Sequence, residues 1–146
     1  LAAAVAAAQL FPLTNVLSID MGSCVTYDFV NCTNQYVGGA ISPGYNMRLK
    51  ALNTFTQKLP LVKLKKIKFL TGQNTEDSIL SGIINGMSLE INGMISNYLS
   101  LYPDLQVIIS GGDVKNFDNN LKISIFAVSN SVTLGLNCIL NYNKNR

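Results

Sequence analysis

The 146-residue chain contains no histidine. That absence rules out a Ser-His-Asp triad, a Cys-His catalytic pair and a Cys/His zinc site within these residues. Charge is scarce as well, at 13% Asp, Glu, Lys and Arg, and the net value of +3 is too small to argue for nucleic acid. The lysines at 63, 65, 66 and 68 have no interleaved aromatics and read as a solvated edge rather than a nucleic-acid patch. Cysteines number three, Cys24, Cys32 and Cys138, with no C-x-x-C spacing. Free thiols in a reducing compartment follow, and with them the cytoplasm. No apolar run reaches the ~18–20 residues of a membrane span. The opening LAAAVAAAQLF has no basic flank and reads as an alanine-rich helix rather than a secretion signal. An Asn-x-Thr triplet at Asn31–Thr33 carries little weight without such a signal.

What the chain has in abundance is apolar surface: 48% of its residues are hydrophobic. A chain this long can bury roughly 70% of its unfolded surface as one domain. The apolar excess suggests a core shared with a further domain or a partner subunit. No methionine opens the chain, and its first helix begins without a capping residue, so it is expected to be one half of a two-domain protein whose N-terminal domain is missing.

Periodicity places the elements. Residues 1–10 read as a helix closed by Phe11-Pro12, and 16–20 and 25–30 as strands joined by the turn Met21-Gly22-Ser23-Cys24. A third strand is expected at 35–41, and a helix at 45–57 with Met47, Leu49, Ala51, Leu52 and Phe55 on its apolar side. Residues 59–70 alternate lysine with apolar residues, as an exposed or edge segment does. The strongest helical pattern runs over about 76–101. VIISGGD, residues 107–113, reads as a strand running into a glycine pair, then a short helical stretch, and 129–141 as a closing helix. The expected order is three meander strands, then helices, a strand and a helix.

Three short stretches could carry chemistry. Asp20-Met21-Gly22-Ser23 can aim backbone N–H groups and a hydroxyl at phosphate, with Asp20 holding a cation; it can equally be a plain hairpin with Asp20 bonding its own turn. Thr75, before Glu76 and Asp77, is well placed as a helix N-cap, or as a hydroxyl offered to a small ligand. Gly111-Gly112 after the VII strand permits close approach of a nucleotide, or forms a simple turn.

Their order is that of one half of an actin/sugar-kinase/Hsp70-type ATPase, an α/β domain of ribonuclease H-like fold: a mixed sheet with three antiparallel meander strands, flanked by helices. Within that superfamily the chain resembles the type III pantothenate kinases. The likeness rests on the 19–30 block IDMGSCVTYDFV, on YVGGAISPGYNMRLKAL (36–52), on TGQNTEDSILSGIINGM (71–87) and on VIISGGD (107–113). The resemblance implies transfer of the γ-phosphoryl group of ATP to the hydroxyl of pantothenate, the first step of coenzyme A synthesis. It also implies Mg²⁺, a monovalent cation (K⁺ or NH₄⁺) and a homodimer, with no nucleic acid or membrane as partner. Asp20 matches the family's monovalent-cation ligand, and Ser23 falls where the family has an ATP-contacting threonine beside Gly22. Thr75 matches a pantothenate-contacting threonine, and Gly111 and Gly112 the glycine pair on the adenosine side. Met21 stands where the family usually has a smaller residue. The family's D-x-G-N-T phosphate loop has no counterpart here, and its catalytic base, the aspartate of a G-x-D-R motif, is expected just before Leu1. On that basis the chain alone should be close to inactive. Two other readings share the fold: a non-catalytic regulatory member akin to transcription accessory factors, and a superfamily kinase with another acceptor.

Overall fold

The computed structural model describes residues 2–117, 124–128 and 130–144. Five strands form one sheet in the order β3-β2-β1-β4-β5. The strands are β1 (Val16–Met21), β2 (Cys24–Val30), β3 (Tyr36–Pro43), β4 (Gln106–Ser110) and β5 (Ile125–Ala127). β1, β2 and β3 pair antiparallel as a meander, and β4 and β5 add in parallel on the other side of β1. This is the mixed sheet expected of an actin-like domain. The helices are α1 (Ala2–Leu10), α2 (Tyr45–Phe55), α3 (Thr75–Leu101) and α4 (Ser131–Lys144), with a short 3-10 turn at Val114–Asn116.

Burial along the strands follows from what covers each face. In β1 every residue but Asp20 is buried, because helices lie on both sides, as for the central strand of any doubly covered sheet. β2 alternates for most of its length, and the edge strand β3 keeps no buried residue. Leu17, Ile19 and Met21 of β1 join Ile79, Leu80, Ile83 and Met87 of α3 in the main core. Val16 and Ile108 turn to the opposite face and meet Ala7 of α1. The small side chains of α1 let it approach α4: a Cβ built on Gly135 would lie 1.8 Å from the carbonyl oxygen of Ala2. Asn15, buried before β1, staples three segments together. Its Oδ1 accepts from the Cys32 amide, its carbonyl accepts from Gln106 N–H, and its Nδ2 donates to Asp104. The Asn31–Thr33 triplet is an Asx turn, in which Asn31 Oδ1 accepts from the Thr33 and Gln35 amides.

Several sequence expectations need correcting. Residues 59–69 form no strand and pair with no sheet edge; Val62 is buried, and Leu59, Leu64 and Ile67 pack against the main core. Their alternation reflects one-sided packing, with the lysines turned to solvent. On α2, Leu49 is buried as expected, but Met47 and Phe55 are exposed at 43% and 85%, and the second buried residue is Tyr45. As expected, the VII strand runs into the glycine pair: β4 ends at Ser110, with Gly111 and Gly112 in the turn after it. β5 was not expected at all. The closing helix starts at Ser131, and position 129 of the expected 129–141 span lies outside the described residues.

Candidate functional site

Strand alternation sets the direction of Asp20. It shares a sheet face with Val16 and Ser18, the face covered by α1, and so points away from the main core. Its register partners are Thr26 on β2 and Ser110 on β4. The buried Ser110 hydroxyl donates to Asp20 Oδ1 at 3.0 Å. Asp20 therefore does not bond its own turn; a neighbouring strand orients it. The carboxylate opens into a groove of about 440 Å³ together with Thr26, Asp28 and Tyr36, walled by Ala3 of α1 and Val132 of α4. In that groove the Tyr36 hydroxyl donates to Asp28 Oδ1 at 2.9 Å, and this bond and the carboxylate's charge raise the phenol's pKa.

Two turns meet beside Asp20, at the carboxyl ends of the parallel neighbours β1 and β4. One is Gly22-Ser23, with Ser23 exposed; the other is Gly111-Gly112. Met21 links them, since the Asp113 N–H donates to its carbonyl at 3.1 Å. The Met21 side chain is itself fully buried in the main core, which accounts for a large residue at this position. The glycines divide into two kinds. Gly111 has φ +102°, and a Cβ there would stand 2.2 Å from Met21 O, so the fold requires glycine. Gly22 and Gly112 have no positive φ, and a Cβ on either would meet nothing within 4 Å. The fold does not need glycine at those two positions, and the space beside them is open to a ligand.

Thr75 does not cap α3. Asn74 does, with extended backbone (φ −144°, ψ 174°) and Oδ1 accepting from the Asp77 amide at 2.9 Å. Asn fills the cap position as well as Thr does, one residue earlier, and leaves the exposed Thr75 hydroxyl outside the cap. Thr75 lines a separate, mainly apolar cavity of about 710 Å³ between α2 and α3, with Arg48, Leu52, Phe55 and Ile79. That cavity lies on the α2/α3 side of the sheet, opposite the Asp20 groove. Asp20, Ser23, Gly22, Gly111 and Gly112 are thus brought together, and Thr75 is not.

Sequence reasoning missed two groups. Ser110, beside the Gly111-Gly112 pair, carries no role of its own in the sequence reading. A polar cluster under the sheet, formed by Tyr27, Ser42, Arg48 and Glu90, was not seen either. Arg48 Nη2 contacts Glu90 Oε2 at 2.5 Å and Ser42 Oγ at 2.7 Å, its Nε donates to Pro43 O at 2.7 Å, and Tyr27 OH donates to Glu90 Oε1 at 3.1 Å. Burial alone would raise the Glu90 carboxyl, but the hydrogen bonds from Arg48, Ser42 and Tyr27 and the Arg48 charge bring it below its ordinary value. Burial, then the Glu90 charge and hydrogen bond, push the Tyr27 phenol well up.

A raised phenol pKa in the folded state gives stability that is complete below the unfolded tyrosine value of about 10 and declines above it. Urea midpoints of the wild type are expected to fall as pH rises above about 10. Tyr27→Phe should show a shallower fall, and at pH 7 should lose about 1 kcal/mol with the hydrogen bond to Glu90. Equal alkaline slopes in the two proteins would remove Tyr27 from this account.

Sheet order and meander together define a domain of actin-like fold. Solved structures agree on the fold: a Baf family protein from Campylobacter jejuni matches with TM-score 0.63 at 21% identity, over 97% of this chain and 63% of that one. The inorganic polyphosphate/ATP-glucomannokinase of Arthrobacter matches with TM-score 0.50 at 16% identity, over 97% of this chain and 54% of that one. The chain belongs to the type III pantothenate kinase family, whose family model matches residues 1–97. Curated type III pantothenate kinases are similar over nearly its whole length. That of Cytophaga hutchinsonii is 48% identical over 98% of the chain, and that of Christiangramia forsetii 51% over 95%. The Phocaeicola vulgatus kinase is 51% identical over 98%. The chain spans 61%, 57% and 59% of the lengths of these three relatives.

Proposed function

We propose that this chain supplies the cation and ATP-phosphate side of a kinase that phosphorylates pantothenate. The observation that carries the reading is the pair Gly22 and Gly112: two glycines the fold does not need, on adjoining turns beside an oriented carboxylate. The missing side chains let a triphosphate approach the backbone, and the exposed Ser23 hydroxyl can donate to a phosphate oxygen. Asp20 would hold the monovalent cation. A carboxylate beside the neutral Thr26 hydroxyl suits a singly charged ion, the groove's other carboxylate, Asp28, being engaged by the Tyr36 hydroxyl. Among the described residues no three His, Cys, Asp or Glu side chains cluster as a metal cage. Mg²⁺ fits as the ion carried by the nucleotide phosphates, whose charge it neutralises.

In the reaction the pantothenate hydroxyl oxygen bonds the γ-phosphorus while the bond to the β–γ bridging oxygen breaks and ADP leaves. The hydroxyl proton goes to the aspartate of a G-x-D-R motif expected outside these residues. What this chain contributes is positioning and charge, which dominate phosphoryl transfer. Thr75 lies on the other side of the sheet from Asp20, so it would serve the acceptor site of a second copy. Phe55, 85% exposed at the rim of the Thr75 cavity, is apolar surface that a homodimer would cover. Cys24, Cys32 and Cys138 are free thiols, consistent with a cytoplasmic enzyme. Among the described residues no helix is long and apolar enough to cross a membrane. The kinase reading is preferred to a regulatory one because relatives near 50% identity carry the kinase name, whereas the Baf family structure, which carries a transcriptional-activator name, is only 21% identical. Pantothenate-dependent release of ADP by the protein extended to the length of its relatives tests it.

A further inference from the structure

The block SPGYNMR, residues 42–48, carries the polar cluster and one wall of the Thr75 cavity, and its Gly44 also touches the phosphate-side turn. Gly44 stacks on that turn: its N–H donates to Ser23 O at 3.0 Å, and a Cβ there would stand 2.2 Å from Gly22 O and 2.7 Å from Ser23 O. Gly44 therefore sets the height of the Gly22-Ser23 backbone. The two residues before it are held by one side chain. Arg48 Nε donates to Pro43 O at 2.7 Å, and Nη2 donates to Ser42 Oγ at 2.7 Å. The guanidinium is in turn fixed by Glu90 of α3, whose other oxygen accepts from Tyr27.

We propose that Arg48 is a positioning residue for the ATP-phosphate turn, acting through Ser42, Pro43 and Gly44 on the backbone of Gly22 and Ser23. The ligand end of this proposal rests on the kinase reading above; the mechanical end does not. A planar guanidinium can serve three acceptors in fixed directions, whereas a lysine ammonium can keep the charge contact to Glu90 but cannot also hold Pro43 O and Ser42. Arg48→Lys thus separates positioning from ion pairing.

The test has two readouts on wild type, Arg48→Lys and Arg48→Ala. The first is amide hydrogen exchange at Gly44, whose N–H bonds the turn directly. It should accelerate roughly tenfold in Arg48→Lys, while amides in the middle of α3 keep their wild-type rates. The second, on the full-length kinase, is the split of kinetic constants. KM for ATP should rise roughly tenfold in Arg48→Lys and about threefold in Ser42→Ala, a residue that does not line the Thr75 cavity as Arg48 does. Unchanged Gly44 exchange in a folded Arg48→Lys protein would overturn the proposal. So would lysine restoring both readouts, since that leaves only an ion pair. If neither Arg48 variant folds, Ser42→Ala decides, because it leaves the Arg48–Glu90 pair intact. It should speed Gly44 exchange about threefold, and no change would overturn the proposal. A wild-type protein that released no ADP with pantothenate would defeat the kinase reading and leave the exchange result standing.

Discussion

On the proposed kinase reading, the protein at the full length of its relatives is expected to be activated by K⁺, and Asp20→Asn to abolish that activation and lower kcat/KM for ATP on the order of 10²-fold. The substitution keeps the shape of the side chain and its Oδ1, so the Ser110 hydroxyl, 3.0 Å from Asp20 Oδ1, can still donate. What disappears is the charge. An amide oxygen beside a triphosphate cannot hold a monovalent cation there as a carboxylate does, so phosphate charge near the turn goes unbalanced. Folding should be little affected, because the residue lines an open groove and is not in the core cluster. Initial rates against KCl, with ionic strength held constant by a larger cation, check the outcome. A variant as K⁺-dependent as the wild type would take the cation site away from Asp20.

The second large effect separates two neighbouring glycines. Gly111→Val is expected to destabilise the domain by about 3 kcal/mol or more, since it forces a β-branched residue to positive φ. The added Cβ would also stand 2.2 Å from Met21 O and 2.6 Å from Met21 N. For a domain of this size that is a fall in melting temperature of about 10 °C. Gly112→Ala, one residue on, should leave stability within about 0.5 kcal/mol, because a Cβ at Gly112 meets nothing within 4 Å. Its cost should fall on nucleotide: KM for ATP is expected to rise roughly tenfold if the methyl enters the space proposed for phosphate or adenosine. Thermal melts beside ATP titrations read both. A Gly112→Ala protein with wild-type ATP kinetics would mean that the open space at this turn is not a ligand site.

The parts of this architecture that could be read from sequence are those governed by local pattern. β1 and β2 were readable because alternation in β2 and the Gly22-Ser23 turn are both local. α3 was readable because Ile79, Leu80, Ile83, Met87 and Ile91 recur at helical spacing and are all buried. β5 was not, since three residues exposed on all but one position carry no period. The 59–69 segment misled because one-sided packing on a helix produces the same alternation as a strand edge. Asp20, the two turns and their glycines came from short motifs, and the sheet brings them together as their order suggested. The Thr75 cap was displaced by a neighbour with the same chemistry. The Tyr27–Glu90–Arg48 cluster joins residues up to 63 positions apart, and no spacing rule connects them.

The measurement closest to the central claim is ADP release by the protein at the full length of its relatives, with MgATP and KCl, in the presence and absence of pantothenate. The account predicts release that depends on pantothenate and is strongly reduced by Asp20→Asn. Release driven equally well by sugars, or none with pantothenate from a folded protein that binds ATP, would contradict it.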